Sequence, residues 1–194
     1  MQSICVFCAS SPGDNPVYAQ TARSVGKLLA ERRIRLVYGA GNVGLMGQLA
    51  DAVLENGGLV TGVIPDFLVR KEVAHLSLTE LIIVDTMHTR KSRMAELSDG
   101  FITLPGGFGT MDEICEILTW AQLGLHRKPI GILNVNGYYD CLLGLFDRMT
   151  EEKLLRTENR AMVLVDTDPV ALLEKMQQYQ PPTVEKWLNS EEQL

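Results

Sequence analysis

Short apolar runs bounded by glycine or proline alternate with longer segments of helical period along nearly the whole chain. That alternation restricts the fold to βα units around a parallel sheet. The strand candidates are Ile4 to Cys8, Ile34 to Tyr38, Leu59 to Ile64, Leu81 to Val84, Phe101 to Leu104, Ile130 to Leu133 and Met162 to Val165. Asn15-Pro16 is a helix start with proline at the first helical position, and Ala22, Val25, Leu28 and Leu29 form one apolar stripe over Val17 to Arg32. The next helix spans Leu45 to Glu55, with Gly57-Gly58 as its stop; later ones run from Thr86 to Leu97, Thr110 to Leu123, Tyr138 to Met149 and Pro169 to Gln178. The expected fold class is α/β, a doubly wound parallel sheet.

The 194 residues, 46% of them hydrophobic, suffice for one well-buried core. A single domain over 1–180 is expected, followed by a polar tail over 181–194, because Pro181-Pro182 stops the last helix and the remainder is acidic around Trp187 and Leu188. With 18 Lys+Arg against 24 Asp+Glu, the net charge of -6 argues against nucleic acid as a partner and requires any phosphate to be held locally. No apolar run reaches the roughly 20 residues of a membrane span, so a cytoplasmic protein is expected. Cys5 and Cys8 form a C-x-x-C, but on a strand they point to opposite faces. Small buried hydrophobes with free thiols are expected, and no metal.

In an open parallel sheet, ligands sit beyond the carboxyl ends of the strands. Three elements stand there. The first is Gly39-Ala40-Gly41-Asn42-Val43-Gly44, a G-x-G-x-x-G opening a helix, with Asp66 near the offset of a ribose-binding acid. It follows the second strand instead of the first. It therefore reads as the wall of a nucleotide pocket other than an NAD(P) site, or as a tight turn that binds nothing.

The second element is Leu104-Pro105-Gly106-Gly107-Phe108-Gly109-Thr110-Met111-Asp112-Glu113. Its consecutive amides can form an anion nest, with the Thr110 hydroxyl beside them. Glu113 lies within reach of a bound phosphosugar, and Asp112 suits the helix dipole. Farther along, Glu116 and Thr119 come near the mouth again.

The third element, Asp85 to Arg93, concentrates positive charge in an acidic chain. Arg90 and Lys91 suit an anionic substrate, whereas Arg93 reads as a surface ion-pair residue. Met87, Arg90 and Met94 share one helix side, so two flexible apolar side chains could flank a base. His75 and His88 have no evident partners in the sequence.

These residues resemble a known family. Pro105-Gly106-Gly107-Phe108-Gly109-Thr110-Met111-Asp112-Glu113 fits the P-G-G-x-G-T-x-x-E motif of the LOG ("lonely guy") family, and Met87-His88-Thr89-Arg90-Lys91 resembles its M-H-x-R-K segment. Val6-Phe7-Cys8, Val37-Tyr38-Gly39 and Gly137-Tyr138-Tyr139 are similar to it as well. The resemblance implies a Rossmann-like homodimer without cofactor that hydrolyses the N-glycosidic bond of cytokinin riboside 5'-monophosphates, N6-substituted AMP or AMP itself, to free base and ribose 5-phosphate. It implies Arg90 and Glu113 as the catalytic pair. It places Glu72, Lys91, Gly107 to Glu113 and Thr119 around the substrate, to which the residues themselves add Met87 beside the base and Gly106 in the anion nest. Ala40 replaces a glycine, and Asp112 a glutamate, found in many relatives. The alternative is a regulator that binds an AMP-type nucleotide without cleaving it.

Overall fold

The computed structural model describes residues 1–69 and 74–182. In chain order the elements are β1 (Ser3–Phe7), α1 (Pro16–Glu31), β2 (Arg35–Tyr38), α2 (Gly44–Glu55), β3 (Val60–Pro65), α3 (Asp66–Val69), β4 (Glu80–Val84) and α4 (Met87–Glu96). They continue with β5 (Phe101–Thr103), α5 (Phe108–Gln122), β6 (Ile130–Leu133), α6 (Asp140–Glu151), α7 (Thr157–Arg160), β7 (Val163–Asp166) and α8 (Pro169–Gln178). All seven expected strands form, within a residue or so of their expected ends. The sheet order is β4-β3-β2-β1-β5-β6-β7, parallel throughout.

Alternation along the strands sends side chains to two cores. Ile4, Val6 and Cys8 face α1, α2 and α8, whereas Cys5 and Phe7 face α4, α5 and α6. Cys5 and Cys8 thus lie in opposite clusters, as the strand period requires, and both are free thiols. Helix starts carry local signals: Asn15 Oδ1 accepts from the Val17 amide at 3.0 Å ahead of Pro16, and Asp168 Oδ1 accepts from Ala171 at 2.8 Å ahead of Pro169.

Two expected helix starts shift, and two short helices were not expected. Helix α6 begins at Asp140 instead of Tyr138, because Asn136 at φ 52° and Gly137 at φ +69° break a short 3-10 turn before it. Helix α5 begins at Phe108, two residues before Thr110, since Gly107 as N-cap admits an extended backbone. The single-turn helices α3 and α7 are too short to show a period. The tail around Trp187 and Leu188 lies outside the described residues.

The topology locates the site. The chain winds outward from β1 to β4, then returns to β5 on the other side of β1 and winds out to β7. The order reverses between β1 and β5, so the loops after these two strands splay apart and leave a crevice at their carboxyl ends.

Candidate active site

That crevice is occupied by the loops the topology predicts. A cleft of about 320 Å³, at the small end for ligand sites, is lined by Cys8 to Ser11 after β1, Gly107 to Thr110 after β5, and Met46, Arg90 and Glu113. Helix α4 delivers Arg90 and helix α5 delivers Glu113. Thr86 caps α4, its Oγ1 accepting from the Thr89 amide at 3.1 Å.

Arg90 is only 8% exposed. Its Nε donates to the Val63 carbonyl at 3.1 Å, and its Nη1 stands 3.3 Å from Glu113 Oε1. Seating a guanidinium this deep requires room, and Gly39 provides it: a methyl group there would overlap Arg90 Nη2. Burial pushes the Glu113 carboxyl up to about 7; the Arg90 charge opposes this, and Asp112 adds to it. The result is a carboxyl that changes protonation near neutrality beside a fixed cation. This is the setting in which a carboxylate can exchange protons with a reacting group.

Lys91 points elsewhere. Its Nζ lies 3.0 Å from both Asp112 Oδ2 and Glu116 Oε1, with a side chain only 10% exposed. Burial works against its charge, but hydrogen bonds to Asp112 and Glu116 prevail and raise its pKa. Lys91 therefore ties α4 to α5 one residue from the Arg90–Glu113 pair, with its charge already spent on two carboxylates.

The two glycine-rich turns differ in use. At the start of α2, the amides of Leu45 and Met46 both donate to the Ala9 carbonyl, at 3.1 and 3.2 Å. A methyl group at Gly44 would overlap Ser10 and Ser11, and Gly41 is packed against Met46. The Gly39 to Gly44 turn is thus filled by the protein itself, and the helix-start amides a pyrophosphate would need are engaged. At the start of α5, Gly107 offers no capping side chain, and none of the amides of Phe108, Gly109 and Thr110 has a backbone acceptor among the described residues. Methyl groups at Gly107 and Gly109 would meet nothing within 4 Å. This turn presents open donors at the positive end of a helix.

Of the residues expected to bind substrate, Arg90, Gly107, Phe108, Gly109, Thr110 and Glu113 line the cleft, with the Phe108 ring 96% exposed at its lip. Gly106 lines an adjoining groove with Tyr138, and a methyl group there would overlap the Thr110 side chain. Met111 is half-buried against the apolar cluster beneath α5, and Asp112 is exposed in its pair with Lys91. Met87 is 37% exposed at the start of α4. Thr119 donates to the Cys115 carbonyl at 2.7 Å and lines a separate apolar groove with Leu118, Phe146 and Met149. Met94 is buried at 1% exposure, so it is core and does not flank a base. Glu72 lies outside the described residues. Arg93 pairs with Glu96 at 2.9 Å on the surface, as expected.

Sequence reasoning missed Ser10, Ser11 and Met46, although the serines directly follow β1 and could have been sought at the topological switch. It also missed the partner of His75, whose Nε2 stands 3.0 Å from Asp51 Oδ1.

Comparison with known proteins places these observations. Residues 46–176 match the family model described as "Possible lysine decarboxylase". The chain is 49% identical over 176 residues to a rice protein named probable cytokinin riboside 5'-monophosphate phosphoribohydrolase LOGL1, covering 91% of this chain and 79% of that one. It is 46% identical over 178 residues to the Arabidopsis thaliana cytokinin riboside 5'-monophosphate phosphoribohydrolase LOG7, covering 92% and 82%. Among solved structures, the Moco carrier protein of Chlamydomonas reinhardtii shares the fold at TM-score 0.67 and 19% identity, over 91% of this chain and 95% of that one. The molybdenum cofactor binding protein of Rippkaea orientalis does so at 0.66 and 19%, over 91% and 94%. With the P-G-G-x-G-T-x-x-E turn opening α5 and relatives this similar over most of both lengths, the chain belongs to the LOG family.

Proposed function

We propose that this protein hydrolyses the N-glycosidic bond of cytokinin riboside 5'-monophosphates, N6-substituted AMP or AMP itself, releasing the free base and ribose 5-phosphate. The observation that carries the reading is the buried Arg90–Glu113 pair at 3.3 Å beside the open amides of the α5 turn. The names of the LOG relatives support the same chemistry.

The amides of Gly107 to Thr110 receive the 5'-phosphate and fix the sugar relative to Glu113. As the C1'–N9 bond breaks, its electron pair leaves with the base and positive charge builds on the sugar ring. The Glu113 carboxylate stabilises that charge and takes a proton from the attacking water, whose oxygen bonds to C1'. Glu113 then passes that proton to the departing base, which restores the carboxylate and balances the step. Arg90 holds Glu113 in place and favours its carboxylate form before it takes the proton. Lys91, tied to Asp112 and Glu116, holds the two helices at that spacing.

The protein works without a cofactor, as a cytoplasmic homodimer. No helix among the described residues is long and apolar enough to cross a membrane.

The test is chromatographic detection of free base from AMP and from isopentenyladenosine monophosphate, each beside its nucleoside and a Glu113→Gln control. Release from the monophosphates, with only slow release from the nucleosides and loss of both in the control, is the expected result. Tight AMP binding without release would establish a non-catalytic nucleotide binder instead.

A further inference from the structure

The Gly137-Tyr138-Tyr139 turn lies far along the chain from the catalytic helices, yet both of its hydroxyls end on the glycine-rich loop. Tyr139 Oη donates to the Leu104 carbonyl at 2.6 Å, and Tyr138 Oη donates to the Gly106 carbonyl at 2.8 Å. The remaining carbonyls of the loop are also taken. Pro105 accepts from the Ala9 amide at 3.2 Å and Gly107 accepts from the Met111 amide at 3.0 Å. Four consecutive carbonyls, 104 to 107, are therefore all held by protein donors. What the loop leaves open toward the cleft is amide N–H.

The two tyrosines are themselves held. Asn134 Oδ1 accepts from the Tyr139 amide at 2.8 Å, while Asn134 Nδ2 donates to Asp140 Oδ1 at 2.7 Å. The Tyr138 and Tyr139 rings meet edge to face with centroids 4.9 Å apart, and Tyr18 meets Tyr138 at 5.7 Å. Left-handed Asn136 and Gly137 turn the chain so that successive phenols reach alternate carbonyls of one loop.

We infer that Tyr138 and Tyr139 are positioning residues for the phosphate seat: they hold the Leu104 and Gly106 carbonyls away from the anion, so that the amides that follow stay aimed at it. A free glycine-rich loop could rotate its peptides and present oxygen to a phosphate, which repels. A clamped one cannot, so less binding energy is lost to ordering. This inference rests on the phosphoribohydrolase reading above.

The test compares wild type with Tyr138→Phe, which removes one oxygen from a half-exposed ring. Turnover is measured on AMP, on isopentenyladenosine monophosphate and on the matching nucleosides, and ribose 5-phosphate serves as product inhibitor. The expected result is a KM for the monophosphates raised about tenfold, with ribose 5-phosphate inhibition weakened by a similar factor, the worth of one such hydrogen bond. The slow turnover of the nucleosides is expected to stay unchanged, since they have no phosphate to seat. A variant that merely folds less well would lower nucleoside and nucleotide turnover together, and that outcome would overturn the proposal. So would unchanged KM and inhibition in Tyr138→Phe. If wild type releases no base from any substrate, the underlying functional reading fails, and calorimetric binding of ribose 5-phosphate to wild type and Tyr138→Phe still decides the clamp. Tyr139→Phe is the second variant, with its melting temperature recorded because that side chain is 2% exposed.

Discussion

The two glycine-rich turns look alike in the sequence and do opposite jobs. Gly39 to Gly44 follows β2 and Pro105 to Gly109 follows β5, each opening a helix at the carboxyl edge of the sheet. In the first, every glycine makes room for the protein: Gly39 for the Arg90 guanidinium, Gly41 for Met46, and Gly44 for the Ser10–Ser11 backbone. In the second, Gly107 and Gly109 face open space and the helix-start amides are uncommitted. Glycine signals that something approaches the backbone closely. What approaches depends on whether the neighbouring loop takes up the helix-start amides, as Ala9 does at α2, or leaves them free, as it does at α5 while bonding only the Pro105 carbonyl.

The largest effect is expected at Glu113, on the helix that the open turn begins. Glu113→Gln is expected to cut turnover by about 10²–10⁴-fold with nucleotide binding largely kept; wild-type-like release of base in the variant would remove Glu113 from the chemistry. Next comes the filled turn. Gly39→Ala displaces Arg90 and is expected to cost about 10²-fold in kcat/KM through misplacement of the pair, although no part of Gly39 lines the cleft. An unchanged kcat/KM would show that the seat of Arg90 is slack.

Stability separates the turns further. Gly44→Ala puts a side chain at φ +64° against Ser10 and Ser11, and is expected to destabilise by at least about 2 kcal/mol in denaturant unfolding. Gly109→Ala, inside the first turn of α5, is expected to stabilise the free protein by about 0.5–1 kcal/mol while raising the KM for monophosphates. A KM that does not move would mean that the phosphate lies elsewhere.

A further effect is read against pH. Glu113 ionises near 4.5 when unfolded and near 7 when folded, so between those values the folded chain holds more protons and the group's contribution to stability falls as pH rises. The stability of wild type relative to Glu113→Gln is therefore expected to fall between pH 4.5 and about 7 and to level off outside that window. In the free enzyme, kcat/KM is expected to rise through about pH 7 as the carboxylate forms. A flat difference in stability would mean that Arg90 cancels the cost of burial.

Much of this was legible in the residues. Apolar runs and their glycine or proline boundaries located all seven strands, because strand period and breaker chemistry are local. Arg90, Glu113 and the Gly107 to Thr110 turn stood out because charge and glycine cluster after strands. The role of Lys91 was not legible as a positioning group. The same lysine reads as an anion binder until α5 brings Asp112 and Glu116 within 3.0 Å of it. Met94 likewise shares a helix side with Arg90, and only packing sends it to the core. Ser10 and Ser11 join the cleft because β1 and β5 are neighbours, a pairing between residues roughly a hundred positions apart.

The sequence by itself determined the α/β class, the order of its elements, the acidic balance and the two helices that carry Arg90 and Glu113, because periodicity, capping and breaker residues act over a few positions. The tertiary structure alone decided which glycine-rich turn is filled and which is open, which cations are already paired, and that two tyrosines from a distant turn hold the loop's carbonyls. These depend on which segments the sheet order brings together, and burial then sets the cost of every charge and unpaired polar group at that meeting point.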